Sequence, residues 1–271
     1  MLWSKAIGAG HAQIGRGWEV GTASHVATRS VSAQEGSPTG LFFRPDGLRM
    51  YLTGTSGDDV NEYNLSTAWN IVTAVYSRNF SVSAQDSSPE DLFFKDDGTK
   101  MYLIGGSGDD VNEYNLSTPW HVSSAVYSQR FSVSAQEASP TGLFFSPDGA
   151  KMFITGLFGD DVNEYDLSTA WDVSSAVYVQ RRGLGAQDTS IRSVFFRHDG
   201  RRMYITGDAG NDINQYNLST AWNIATAVYS QNFSVSAQDS SPRGLFFSPD
   251  GTRMYFAGNA DNEINQYNVG P

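Results

Sequence analysis

The chain has 271 residues, 18 Lys and Arg against 29 Asp and Glu, a formal net charge of −11 and no cysteine. A field of that sign repels nucleic-acid backbones and anionic membrane surfaces, so neither is expected as a partner. Disulfides, thiolate catalysis and Cys-based zinc sites are excluded, and packing must come from 16 Phe, 13 Tyr and 6 Trp.

Residues 1–17, MLWSKAIGAGHAQIGRG, follow no repeat and read as a spare arm that either docks on a neighbouring subunit, with Trp3 as anchor, or is disordered. They hold no signal-peptide core, and no apolar run of about 18 residues follows, so a soluble chain made in the cytoplasm is expected. Residues 18–33, WEVGTASHVATRSVSA, match the last segment of a unit that then recurs along the chain.

The unit is marked by Leu41-Phe42-Phe43, which returns 51 residues later at Leu92 and again at Leu143, Val194 and Leu245. Met50, Met101, Met152, Met203 and Met254 keep the same step, as do Trp18, Trp69, Trp120, Trp171 and Trp222. Within one unit, turn signals separate four β-rich segments of strand length. Strand A covers about residues 40–44 and strand B about 49–53, joined through Asp46-Gly47, a pair favoured in tight hairpins. Strand C covers about residues 60–65, and strand D lies within 74–84, after Ser66-Thr67-Ala68-Trp69. Strands A and B are continuous apolar runs, which requires burial on both faces of the sheet. Four-stranded sheets packed radially meet that need, whereas helical solenoids would need a 3.6-residue period that is absent.

The last copy stops after strand C at Tyr267-Asn268-Val269, and the segment at 18–33 supplies the missing strand D. The expected fold is therefore all-β: a single five-bladed β-propeller over residues 18–271, four antiparallel strands per blade, closed by pairing of the two chain ends.

The run Ser146-Pro147-Asp148-Gly149-Ala150-Lys151-Met152 resembles the SPDG-type repeats of bacterial and viral β-propellers, relatives of the YVTN and WD40-like families. The extension beginning Gly57-Asp58-Asp59-Val60-Asn61-Glu62-Tyr63 is similar to repeats of bacteriophage structural proteins and large bacterial surface proteins. The resemblance implies a scaffold without a fixed activity.

Loop composition predicts two unlike rims. Loops D–A and B–C carry Glu35, Asp86, Glu137, Asp188 and Asp239 with the pairs Asp58-Asp59, Asp109-Asp110 and Asp160-Asp161. These serve turn chemistry and solubility, since no loop has the spacing of a known calcium loop and no metal or other cofactor is expected. The opposite rim carries Arg44, Arg49, Lys95, Lys100, Lys151, Arg197, Arg201, Arg202 and Arg253. The five tryptophans at the C–D connections either wedge neighbouring blades or stack on sugar rings, which would make Trp18, Trp69, Trp120, Trp171 and Trp222 carbohydrate-binding candidates.

Departures from the repeat point elsewhere. The fourth unit gathers Arg181, Arg182, Arg192, Arg197, Arg201 and Arg202, and the third places Leu157-Phe158 in a loop that is small or polar in other copies. Both read as partner-contact candidates. His11, His25, His121 and His198 share no spacing, and neither a G-x-S-x-G elbow nor a P-loop is present. The expectation is thus a non-enzymatic structural component of a phage particle, a capsid-decoration or fibre propeller located in the virion and contacting other structural proteins. Its alternative is a lectin with up to five equivalent glycan sites.

Overall fold

A computed structural model describes residues 17–270; Trp3 and the rest of the expected arm, residues 1–16, lie outside them. Five four-stranded antiparallel sheets surround a common axis. Blade one is β2 (Pro38–Phe43), β3 (Arg49–Gly54), β4 (Asp59–Leu65) and β5 (Ala74–Ser81), with β1 (Ala23–Ser30) preceding it in the chain. Blade two is β6 (Pro89–Phe94), β7 (Lys100–Gly105), β8 (Asp110–Leu116) and β9 (Ala125–Ser132). Blade three is β10 (Pro140–Phe145), β11 (Lys151–Gly156), β12 (Asp161–Leu167) and β13 (Ala176–Gly183). Blade four is β14 (Ile191–Phe196), β15 (Arg202–Gly207), β16 (Asp212–Leu218) and β17 (Ala227–Ser234). Blade five joins β18 (Pro242–Phe247), β19 (Arg253–Gly258) and β20 (Glu263–Val269) to β1.

The closure expected from the chain ends is present: β1 lies antiparallel to β20, with Ala23 opposite Val269 and Ser30 opposite Glu263. Strands A and C begin slightly earlier than their sequence signals, strand A at Pro38 rather than residue 40, because a register shift between Pro38 and Gly40 lets the proline start the pairing. The inner two strands of each blade are buried on both faces, as Phe43, Met50, Tyr51 and Leu52 show. The outer strands are largely exposed beyond their first alanine and leave Val75, Val126, Val177 and Val228 in solvent.

Two side-chain devices lock each blade to the next. A mid-strand carboxylate or amide accepts the N–H of the 3-10 turn in the following blade: Glu62 from Val122, Glu113 from Val173, Glu164 from Ile224, Gln215 from Val20 and Gln266 from Ile71. The series runs once round the ring and across the closure. The second device is the tryptophan of the C–D connection, held at positive φ in every blade. The Trp69 N–H donates to the Gly47 carbonyl at 2.9 Å, its ring stacks on Phe246 of blade five at 6.3 Å, and its carbonyl accepts the Tyr255 hydroxyl at 2.7 Å. A Cβ on Gly47 would collide with the indole, and Gly47 itself has φ +72, so only glycine fits that turn.

Candidate functional site

Repeat columns that break fivefold symmetry concentrate on the axis, where the second to fourth residues of the inner strands meet. One column reads Thr39, Glu90, Thr141, Arg192 and Arg243. Where threonine stands, it ties its blade to the next: Thr39 donates to the Pro89 carbonyl and Thr141 to the Ile191 carbonyl, each at 2.9 Å. The three departures give up that bond in favour of charge. Arg192 and Arg243, both with side chains 15 % exposed, converge on the Asp208 carboxylate at 2.6 and 3.5 Å. Asp208 also accepts from the Ser241 hydroxyl at 3.2 Å, which fixes the acid between blades four and five. The Nε of Arg243 is enclosed and has no hydrogen-bond partner among the described residues.

In a five-membered ring, blade two faces the edge between blades four and five. Glu90 therefore sits across the axis from the arginine pair. Burial pushes its carboxyl up to about 7, an effect that the Arg243 and Arg192 cations only partly oppose. Burial together with the adjacent Arg192 cation draws the Arg243 guanidinium down from its ordinary value, which leaves it cationic at neutral pH. The mouth at the D–A end thus combines two cations, one committed carboxylate and one carboxyl poised to change charge near neutrality.

One residue further along the strand, the column reads Gly40, Asp91, Gly142, Ser193 and Gly244, and the inner strands close to a waist there: a Cβ on Gly40 would collide with Asp91 and one on Gly244 with Leu41. Asp91 is buried there and accepts the N–H of Leu92 at 2.9 Å and of Leu143 in the next blade at 3.0 Å. Ser193 makes the equivalent bond, accepting from Leu245 at 3.2 Å. Burial raises the Asp91 carboxyl to about 8 despite these two donors.

Beyond the waist the channel opens into a funnel of about 250 Å³ toward the A–B end. Phe42, Phe93, Phe144, Phe195 and Phe246 form a closed pentagon around the axis, each ring edge-on to the next at centroid separations of 5.2, 5.3, 5.2, 5.5 and 5.2 Å. The mouth column reads Pro45, Asp96, Pro147, His198 and Pro249, all lining the funnel. Burial raises Asp96 to about 6 and lowers His198; the His198 ring packs against Trp18 at 6.1 Å.

The residues singled out by sequence are scattered by comparison. Arg192 alone reaches the axis. Arg181, 3.6 Å from Asp161, and Arg182, which donates to the Ala227 carbonyl, lie on the outer strand of blade three. Arg201 and Arg202 lie at the A–B end, where Arg201 donates to the Ser219 carbonyl and Arg202 pairs with Glu19 and donates to the Trp18 carbonyl. Leu157 and Phe158 stand on the B–C loop of blade three, with Phe158 78 % exposed. The five tryptophan rings are taken up between their own A–B glycine and the preceding blade; Trp18 and Trp171 are only 8 % exposed. The rim carboxylates Glu35, Asp86, Glu137, Asp188 and Asp239 are buried and tie the D–A loop to the B–C loop by accepting backbone N–H groups of both, as Glu35 does from Ser37 and from Ser56 and Gly57.

Sequence reasoning misses Glu90 and Arg243 altogether. The signal that finds them is the column, not the unit: a position held as threonine in two blades and replaced by charge in three.

No protein-family model and no curated protein matches the chain significantly. Solved structures do match its shape. A protein of Bacteroides uniformis, provisionally named 6-phosphogluconolactonase, aligns over 86 % of this chain and 68 % of its own with a TM-score of 0.51 and 15 % identity. A protein of unknown function from Desulfotomaculum acetoxidans aligns over the same shares with a TM-score of 0.50 and 12 % identity. A periplasmic gluconolactonase of Pseudomonas aeruginosa aligns over 85 % and 66 % with a TM-score of 0.48 and 16 % identity. At such identities the likeness shows the fold. The expectation of a non-enzymatic phage structural protein, and of a lectin as its alternative, is corrected by this comparison: the Bacteroides uniformis neighbour is named as a lactonase, and none of these neighbours is named as a virion component or a lectin. The virion location loses its basis with that reading; among the described residues no helix is long and apolar enough to cross a membrane.

Proposed function

We propose that the protein is a hydrolase of small anionic cyclic esters, of the sugar-lactone class, acting at the D–A mouth of the axial channel. The observation that carries this reading is Glu90 facing the Arg192–Arg243 pair across the axis. The two guanidiniums hold the substrate's phosphate or carboxylate. Glu90, with a carboxyl near 7, removes a proton from water as that water attacks the ester carbonyl. The ring C–O bond breaks, the ring oxygen takes up the proton, and the product is a hydroxy acid. The name of the Bacteroides uniformis neighbour supplies the substrate class.

The scaffold offers its own control residue. Threonine at position 90 or 243 restores the blade-to-blade bond that Thr39 and Thr141 make, so folding is preserved while charge is lost. Hydrolysis of 6-phosphogluconolactone, corrected for the spontaneous reaction, is expected to fall at least about a hundredfold in kcat for Glu90→Thr. For Arg243→Thr, KM is expected to rise about tenfold or more at nearly constant kcat. Rate should climb with pH on a limb near 7, because the base form of Glu90 is the active one. A wild-type protein no faster than buffer on phosphorylated and unphosphorylated lactones would overturn the proposal.

A further inference from the structure

We propose a second ligand site at the opposite end of the channel: the funnel binds a small organic cation with an apolar body, its ammonium head held at the mouth by Asp96. Three observations converge. The cavity, about 250 Å³, exceeds the roughly 150 Å³ that suffices to take up benzene in a dry protein interior. Its wall is the phenylalanine pentagon backed by the Leu and Val residues of the inner strands, so the body of the ligand must be apolar. Among the described residues its ionisable lining is Asp91, Asp96 and His198, with no lysine or arginine, and the two carboxyls there favour a positive charge on the ligand.

Asp96 is the specific element. In three blades its column is proline, the residue the turn accepts at that place, and blade two replaces it with a carboxylate. That carboxylate has no hydrogen-bond or ion-pair partner among the described residues, whereas its neighbour Asp97 pairs with Lys95 at 2.8 Å. Asp91 cannot take this role, since both of its oxygens accept backbone N–H groups at the waist.

The test uses three isosteric probes on the full chain: phenethylammonium, phenethyl alcohol and phenylacetate, titrated by calorimetry and by indole fluorescence, to which Trp18 at the funnel wall contributes. The ammonium is expected to bind at least tenfold tighter than the alcohol, with the acetate weakest. Asp96→Asn and Asp96→Pro, the latter restoring the residue of Pro45, Pro147 and Pro249, should each erase the preference of ammonium over alcohol while the apolar body still binds. Equal affinity for ammonium and alcohol in the wild type, or a preference that survives both substitutions, would overturn the proposal. So would binding seen only after removal of residues 1–16, which would assign the funnel to the chain's own N-terminal segment, or no binding of any probe up to millimolar concentration.

Discussion

At the scale of single residues, the repeat acts as an internal mutational series, because each column shows which side chains the same backbone tolerates. Tyr51, Tyr102, Tyr204 and Tyr255 donate their hydroxyls to the tryptophan carbonyl of the adjoining blade at 2.7 Å. Blade three has Phe153 there, stacked 6.2 Å from Trp222, so the Trp222 carbonyl lacks this donor. Phe153→Tyr should therefore stabilise the protein by about 0.5–1.5 kcal/mol, read as a higher midpoint in urea with an unchanged slope. Asp91 makes the opposite case. Its folded carboxyl, raised by burial to about 8 from an ordinary value of 3.8, binds protons more tightly than the unfolded chain does. Stability should thus be greatest below pH 4 as far as this group is concerned, and fall as pH rises toward 8. Asp91→Ser, copying Ser193 and its bond to Leu245, should raise the melting temperature by several degrees at pH 8–9 and by progressively less toward pH 4. An equal gain at both pH values would show that burial of charge is not the cause.

At the scale of elements, each strand was legible because turn chemistry and apolar runs recur five times, and five weak signals in register make one strong one. Strand A starts two residues before its Gly40 signal, because the fixed φ of Pro38 suits the first residue of a strand. The candidate site was less legible. Grouping departures by unit collects Arg192 with Arg181, Arg201 and Arg202, which the fold sends to three different surfaces. Grouping by column collects it with Glu90 and Arg243, which the inner strands bring to one mouth. Closure by β1 is the element with most at stake, because without it β20 presents a bare edge. A chain lacking residues 1–33 should self-associate on size-exclusion chromatography, and a synthetic peptide covering 17–33 should return it to a compact, cooperatively melting species. Failure of the peptide to restore that melt would mean that β1 must be present as the ring forms.

At the scale of the whole molecule, the ring of Glu and Gln clamps makes every blade a partner in two interfaces, including across the junction of the chain ends. Open repeat arrays unfold from their ends; a ring has none. Calorimetry should accordingly show one transition whose van't Hoff and measured enthalpies agree, despite five separate sheets. Gln266→Ala, which removes the Ile71 clamp, should lower that single transition rather than split it.

The phenylalanine pentagon has a consequence for how such a chain can change. Tandem genes gain and lose units by unequal recombination, and a 51-residue insertion or deletion would preserve every strand, turn and clamp. The five rings, however, meet edge to face only in a circle of five. A sixth blade would pull them out of contact and leave a wet bore, and a fourfold ring would force them to overlap. Blade number is thus held by one aromatic side chain per unit, and a lineage with a different count would be expected to carry a different residue at that position.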